Sequence, residues 1–144
     1  MVNNIIDGIS IKINSIFGSE YNIYTNHVVQ NLITPAFLIN IIDPESENLL
    51  GGRKKRVLPF DIIYFPEEAG NSFEMIDTGE RLMQGMEFIV LLDGSMFRGT
   101  DMKYEIIDEV LHFYVNYNCT TIDKKTDEPF MESLTIQSGR KNKD

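Results

Sequence analysis

The sequence fits an α+β domain, and three observations lead there. Apolar residues recur at helical spacing in two separated segments, over residues 2–17 and roughly 72–87. Short runs rich in Ile, Val, Phe and Tyr lie between and after those segments, each bounded by Pro, Gly, Asn or Asp. The last third of the helix-free sequence alternates like two successive hairpins. The 144 residues can bury a core without disulfides or metal, and 42% apolar with 24% charged residues is an ordinary globular balance.

In chain order, Val2, Ile5, Ile6, Ile9, Ile13, Ile16 and Phe17 form one stripe of a first helix that Gly18 should end. Tyr21–Thr25 reads as a short strand, and His27–Thr34 is compatible with another short strand and a turn before Pro35. Ala36–Asp43 is a strand with Phe37, Ile39 and Ile41 on one side and Leu38 and Ile42 on the other, so both of its faces need cover. A loop, PESENLLGG, then passes from acidic residues to a Gly-Gly hinge and the cations Arg53–Arg56. Val57–Phe65 follows as a strand, too short and too β-branched for a buried helix; Pro59, which lacks an amide donor, predicts a sheet edge or a bulge.

Asn71 is placed to cap the second helix, three residues before Glu74. Its expected core stripe is Met75, Ile76, Gly79, Leu82, Met83 and Met86, with Gly79 allowing close approach to the sheet. Phe88–Leu92 and Ser95–Arg98 make a hairpin around Asp93-Gly94, a dipeptide that predicts a type I′ turn. A final hairpin turning at Asp108-Glu109 would pair Ile107 with Val110, Ile106 with Leu111, Tyr104 with Phe113 and Met102 with Val115. The same register sets Glu105 opposite His112 and Lys103 opposite Tyr114, and a slip of one residue would spoil both matches. Tyr117 and Cys119 continue the buried side, Thr120–Pro129 reads as loop, and Phe130–Ile136 as a short strand or docking segment.

Composition narrows the function classes. Thirteen cations against 22 carboxylates leave a net charge of −9, which argues against gripping nucleic-acid phosphates. A single cysteine fits a reduced, cytosolic setting, and no stretch approaches the ~20 apolar residues of a membrane span. The N-terminus, MVNNIIDGIS, does not read as a signal peptide. Two histidines and one cysteine have no ligand spacing, so no metal site is expected, and no phosphate-binding or nucleophile-elbow motif points to a cofactor or a catalytic residue. Glu105 and His112 could form an acid–base pair, which is the basis of a remote reading as a small enzyme; the plainer reading is a cross-strand contact on a half-exposed face. Arg53, Lys54, Lys55 and Arg56 concentrate four of the 13 cations and are either a solvated loop or an electrostatic docking element for an acidic surface. Phe130, Met131, Leu134 and Ile136 are the apolar residues of a tail segment and the second candidate interface element.

Three segments, IIDGISIKIN, PFDIIYFP and FRGTDMKYEIIDEVLHFYVNY, occur in the order and spacing of the phage tail terminator family of Gram-positive phages, prophages and phage-tail-like bacteriocins. The chain resembles that family over about residues 4–120, although Asp108-Glu109 stands where family members often have Asp-Gly. The resemblance implies a mixed or antiparallel sheet flanked by two helices; one domain is expected over residues 1–122, and residues 123–144, outside the resemblance, are read as a C-terminal arm, partly flexible. It further implies a non-enzymatic virion protein: a ring, typically hexameric, that caps the head-proximal end of the tail tube and stops its polymerisation. Its partners would be other copies of itself, the tube protein, and a neck, connector or sheath protein, with DNA only passing through the lumen where a capsid exists and no membrane involved. It would reside in the virion tail after assembly in the bacterial host cytoplasm. A head–tail connector or tail-completion protein is the nearest alternative. On the terminator reading, the tube-facing surface would combine hairpin tips with Arg53–Arg56, opposite the acidic Asp43–Glu47 segment.

Overall fold

The computed structural model describes residues 1–25 and 31–122. The elements are α1 (Val2–Phe17), β1 (Asn22–Thr25), β2 (Ala36–Ile41), β3 (Glu45–Asn48), a 3-10 turn (Leu50–Gly52), β4 (Arg53–Val57), β5 (Pro59–Phe65), α2 (Ser72–Gly85), β6 (Phe88–Val90), β7 (Met96–Arg98), β8 (Thr100–Ile107), β9 (Val110–Asn116) and β10 (Cys119–Ile122). The class is α+β, as predicted. His27–Thr34 is only partly among the described residues, and Phe130–Ile136 lies outside them.

The described backbone divides into two units, residues 1–46 with 56–119 and residues 47–55 with 120–122. In the first unit a five-stranded sheet runs β1-β2-β5-β9-β8. Only β1 and β2 pair in parallel; the other pairs are antiparallel, which makes the sheet mixed. A separate two-stranded ladder joins β6 to β7. Most of the three-stranded sheet β10-β4-β3 belongs to the second unit.

Both helices share one core with the five-stranded sheet. From α1 come Ile5, Ile6, Ile9, Ile13 and Phe17, meeting Phe37, Ile39, Phe60, Ile62, Tyr64, Leu111, Phe113 and Val115 from the strands. The Phe17 and Phe37 ring centroids are 5.0 Å apart. Gly18 ends the helix at φ 92°, a backbone angle that glycine adopts without steric cost. Arg81 of α2 donates to the carbonyl of Ile16 at 2.8 Å and lies 4.4 Å over the Phe17 ring, so a cation satisfies an end-of-helix carbonyl.

The cap of α2 is the expected one: Asn71 accepts from the Glu74 amide at 3.2 Å. The Glu74 carboxylate accepts in turn from the Tyr64 hydroxyl and, at 2.9 Å, from the Glu67 amide, tying the first turn of the helix to β5. One stripe position differs from expectation, since Ile76 is exposed and Thr78 is buried in its place. Thr78 lies three residues from Met75 and four from Leu82, on the same face as both, whereas Ile76 is rotated off it. Its hydroxyl donates to the Glu74 carbonyl at 2.9 Å, so burying it leaves no donor unpaired.

Pro59 marks neither an edge nor a bulge. The expected strand Val57–Phe65 breaks at Leu58 into β4 and β5, and β5 is the central strand of its sheet. Proline is tolerated there because it is the first strand residue, where no ladder amide is required. The break is itself bonded: Leu58 donates to Asn118 Oδ1 at 3.1 Å, and the Pro59 carbonyl accepts from Ile42 at 2.8 Å.

The β8–β9 register runs as expected from Ile107 opposite Val110 through Lys103 opposite Tyr114. Beyond that point it shifts, with Thr100 opposite Asn116, so the expected Met102–Val115 pair is not part of the ladder. Asp101 at φ 55° lies at this irregularity. Asp108 and Glu109 both have positive φ, 51° and 65°, which is the type I′ pattern without its usual glycine. The Asp93-Gly94 turn is different. Gly94 donates to the Leu91 carbonyl and Leu91 to the Ser95 carbonyl, while only Gly94 has positive φ. That is a three-residue loop closed by a left-handed glycine, not the expected two-residue I′ turn. The Asp93 carboxylate accepts from the Ser95 amide at 2.8 Å, and this bond holds its pKa below the usual carboxylate range.

Candidate functional site

Period-2 alternation dictates that the five-stranded sheet has a second face, opposite the helices. Its residues are Ala36, Leu38 and Asn40 of β2, Asp61, Ile63 and Phe65 of β5, His112 and Tyr114 of β9, and Lys103 and Glu105 of β8. Register sets Asn40, Asp61, Tyr114 and Lys103 in one row across the sheet, with Leu38, Ile63, His112 and Glu105 in the next. A connected polar cluster therefore lies across three strands that are otherwise apolar.

The cluster does not pair as the sequence suggests. Glu105 is opposite His112 in register, but His112 Nδ1 contacts Asp61 Oδ2 at 2.9 Å, and Glu105 instead accepts from the Tyr114 hydroxyl at 2.9 Å. Diagonal neighbours have won over direct ones, because a histidine ring and a tyrosine both reach past the residue opposite. Lys103 Nζ lies 5.4 Å over the Tyr114 ring, and the His112 and Tyr114 rings stack. Asp61 is the member that sequence reading left without a role. A lone carboxylate inside PFDIIYF is the signal that could have found it.

Burial raises the Asp61 pKa, and the hydrogen bond and charge of His112 offset part of that rise. Its Oδ1 is buried and has no partner among the described residues. Burial and the bond to Glu105 push Tyr114 up to about 12, so its hydroxyl stays protonated at neutral pH and donates. The Asp61–His112 and Tyr114–Glu105 bonds together join β5, β9 and β8 across this face. Cys119 is half-buried against the core and burial raises its thiol pKa, which fits a packing role.

Arg53–Arg56 form strand β4, not a loop. Strand β3, which includes residues 45–47 of the acidic segment, is the hydrogen-bonded neighbour of β4 in one sheet, so the acidic and basic segments are adjacent. Arg53, Lys54 and Lys55 are exposed, and Arg53 Nε donates to the Leu50 carbonyl at 3.1 Å. The expected loop from Thr120 begins instead as β10. Phe130, Met131, Leu134 and Ile136 are outside the described residues.

A model of the family described as phage tail terminator protein matches residues 4–129, past the end of the segments that carry the sequence resemblance. The chain belongs to the phage tail terminator family, whose role in the tail is structural. No curated protein matches the chain. Among the described residues, no helix is long and apolar enough to cross a membrane.

Proposed function

We propose that this chain closes into a ring, hexameric on the family expectation, which caps the head-proximal end of a tail tube, stops its growth and joins it to the neck or sheath. The particle would be a Gram-positive phage, a prophage or a phage-tail-like bacteriocin, assembled in the host cytoplasm. Family membership supports the tail role, and the edges of the five-stranded sheet support the ring. Strand β8 is an end strand of that sheet, eight residues long and without proline. The hydrophobics Phe73, Ile76, Ile106 and Ile107 of β8 and α2 are exposed. Asp101, Lys103, Glu105 and the register shift at its start discourage pairing along the first part of this edge, whereas its apolar end at Ile106 and Ile107 invites it unless something covers it. Distinct edges, β1 at one end and β8 at the other, suit a head-to-tail contact that closes by rotation. The basic β4 and the segment Phe130–Ile136 are the further contact elements of this proposal.

A tube subunit must offer matching top and bottom surfaces, whereas a cap copies only one of them. Mixed below stoichiometry with its cognate tube protein, the chain should occupy one end of each tube and block addition there, as seen by negative-stain imaging. Tubes that lengthen from an occupied end, or binding to the portal side alone, would replace termination by the connector reading. A strict monomer by light scattering, alone and on tubes, would remove the ring.

A further inference from the structure

The outer side of the β6–β7 hairpin carries apolar surface that the core does not use. Ile89 and Leu91 point inward and are buried, while Val90 and Leu92 alternate outward at 51% and 80% exposure. Across the ladder, Met96 pairs with Val90 and is 65% exposed. Scattered apolar residues need no explanation, but these are contiguous with a recess. Gly8, Ile11, Lys12 and Ser15 of α1 line a groove of about 190 Å³ with Val90. A smaller recess of about 110 Å³ is lined by Asn4, Leu91, Leu92 and Asp93. A Cβ on Gly8 would lie 3.2 Å from Leu91, so helix and hairpin already touch beneath the groove and it cannot close by their approach. Two recesses thus lie along one side of α1, and Lys12 is the cation of the larger.

We propose that this groove receives residues 130–136 of a second copy of the chain, with Phe130, Leu134 and Ile136 entering the two recesses and Glu132 meeting Lys12. The proposal rests on the self-association above and names the surface that carries part of it. Chemistry and length select the occupant. Past Ile122 the chain continues to Asp144, and Phe130–Ile136 is its one apolar segment, with Glu132 as its acid. The seven residues between Ile122 and Phe130 can span up to about 25 Å when extended.

The test uses full-length chains in a Cys119→Ser background, one carrying Val90→Cys and the other Leu134→Cys, mixed under mild oxidation. The mixed disulfide should form several-fold faster than with an Ala69→Cys control, on an exposed loop outside the proposed contacts, in place of Val90→Cys. Adding Lys12→Glu to the groove copy should slow it several-fold, and Glu132→Lys on the arm copy should restore the rate. A mixed disulfide no faster than the control, or no rescue by the charge swap, overturns the proposal. So does a chain bearing both cysteines that closes only on itself at high protein concentration, because the arm then occupies its own groove. Light scattering of the same samples separates the two readings: closed rings without the cross-link sink only the arm, and a cross-link without rings sinks only the ring.

Discussion

Glu109 occupies a left-handed backbone conformation, φ 65°, in the position where a type I′ turn favours glycine. A side chain there costs about 1 kcal/mol or slightly more. Glu109→Gly should therefore raise stability by about 1 kcal/mol in urea denaturation, and a fall in the midpoint would show that the carboxylate contributes more than the strain it causes. Asp61 offers a second test. Its folded-state pKa is raised, chiefly by burial, so the folded protein holds this proton at a pH where the unfolded chain has released it. The resulting stability is fully present below the unfolded pKa and is lost as pH rises through the folded one. Compared with Asp61→Asn, which does not titrate, the natural protein should gain stability as pH falls through that window. A constant difference across the window would mean that His112 compensates the burial completely.

At the scale of elements, helix α2 is held by a cap, a carboxylate tie and a close approach. A Cβ on Gly79 would fall 2.8 Å from the Tyr104 ring, so the glycine brings the helix down onto β8, where the Tyr104 hydroxyl donates to Glu80 at 2.7 Å. Alanine would add about 1 kcal/mol of helix propensity, yet overpacking costs about 1–3 kcal/mol. Gly79→Ala should thus lower thermal stability by about 1 kcal/mol net, and an increase would mean that the ring moves aside freely. Helix α1 is tied by Arg81 on the Ile16 carbonyl and by the close approach of Gly8 to Leu91. Its isoleucines have modest helix propensity, but Ile5, Ile9 and Ile13 are fully buried, and tertiary packing supplies what propensity lacks.

For the whole molecule, a net charge of −9 opposes the assembly of copies, and the repulsion is screened over a Debye length. The cations of β4 are where that repulsion could be relieved. Because Arg53, Lys54 and Lys55 are exposed, changing all three to Ser should alter folding stability by no more than about 1.5 kcal/mol in all, at about 0.5 kcal/mol for each surface residue. Self-association and tube binding should weaken, and more so at low salt. Unchanged association across a salt series, measured by sedimentation, would show that these side chains are merely solvated.

The sequence by itself determined the elements whose signal is local. The α1 stripe, the Asn71 cap and the β8–β9 register from Lys103 to Ile107 were legible because helical spacing, an N-cap and cross-strand matching depend on neighbours a few residues away. The family was legible too, from three segments whose order and spacing no single residue carries. Tertiary structure alone decided the rest. Whether Pro59 sits at an edge or opens a central strand depends on Ile42 and Tyr117, whose backbone bonds to Pro59 and Leu58 come from distant parts of the chain. Arg53–Arg56 became a strand because β3 and β10 lie on either side of it, which no local pattern of four cations announces. His112 met Asp61 and not Glu105 because β5 lies beside β9 on the side away from β8. Strand order is a global property, so a polar cluster spread over three strands exists only once the sheet has formed.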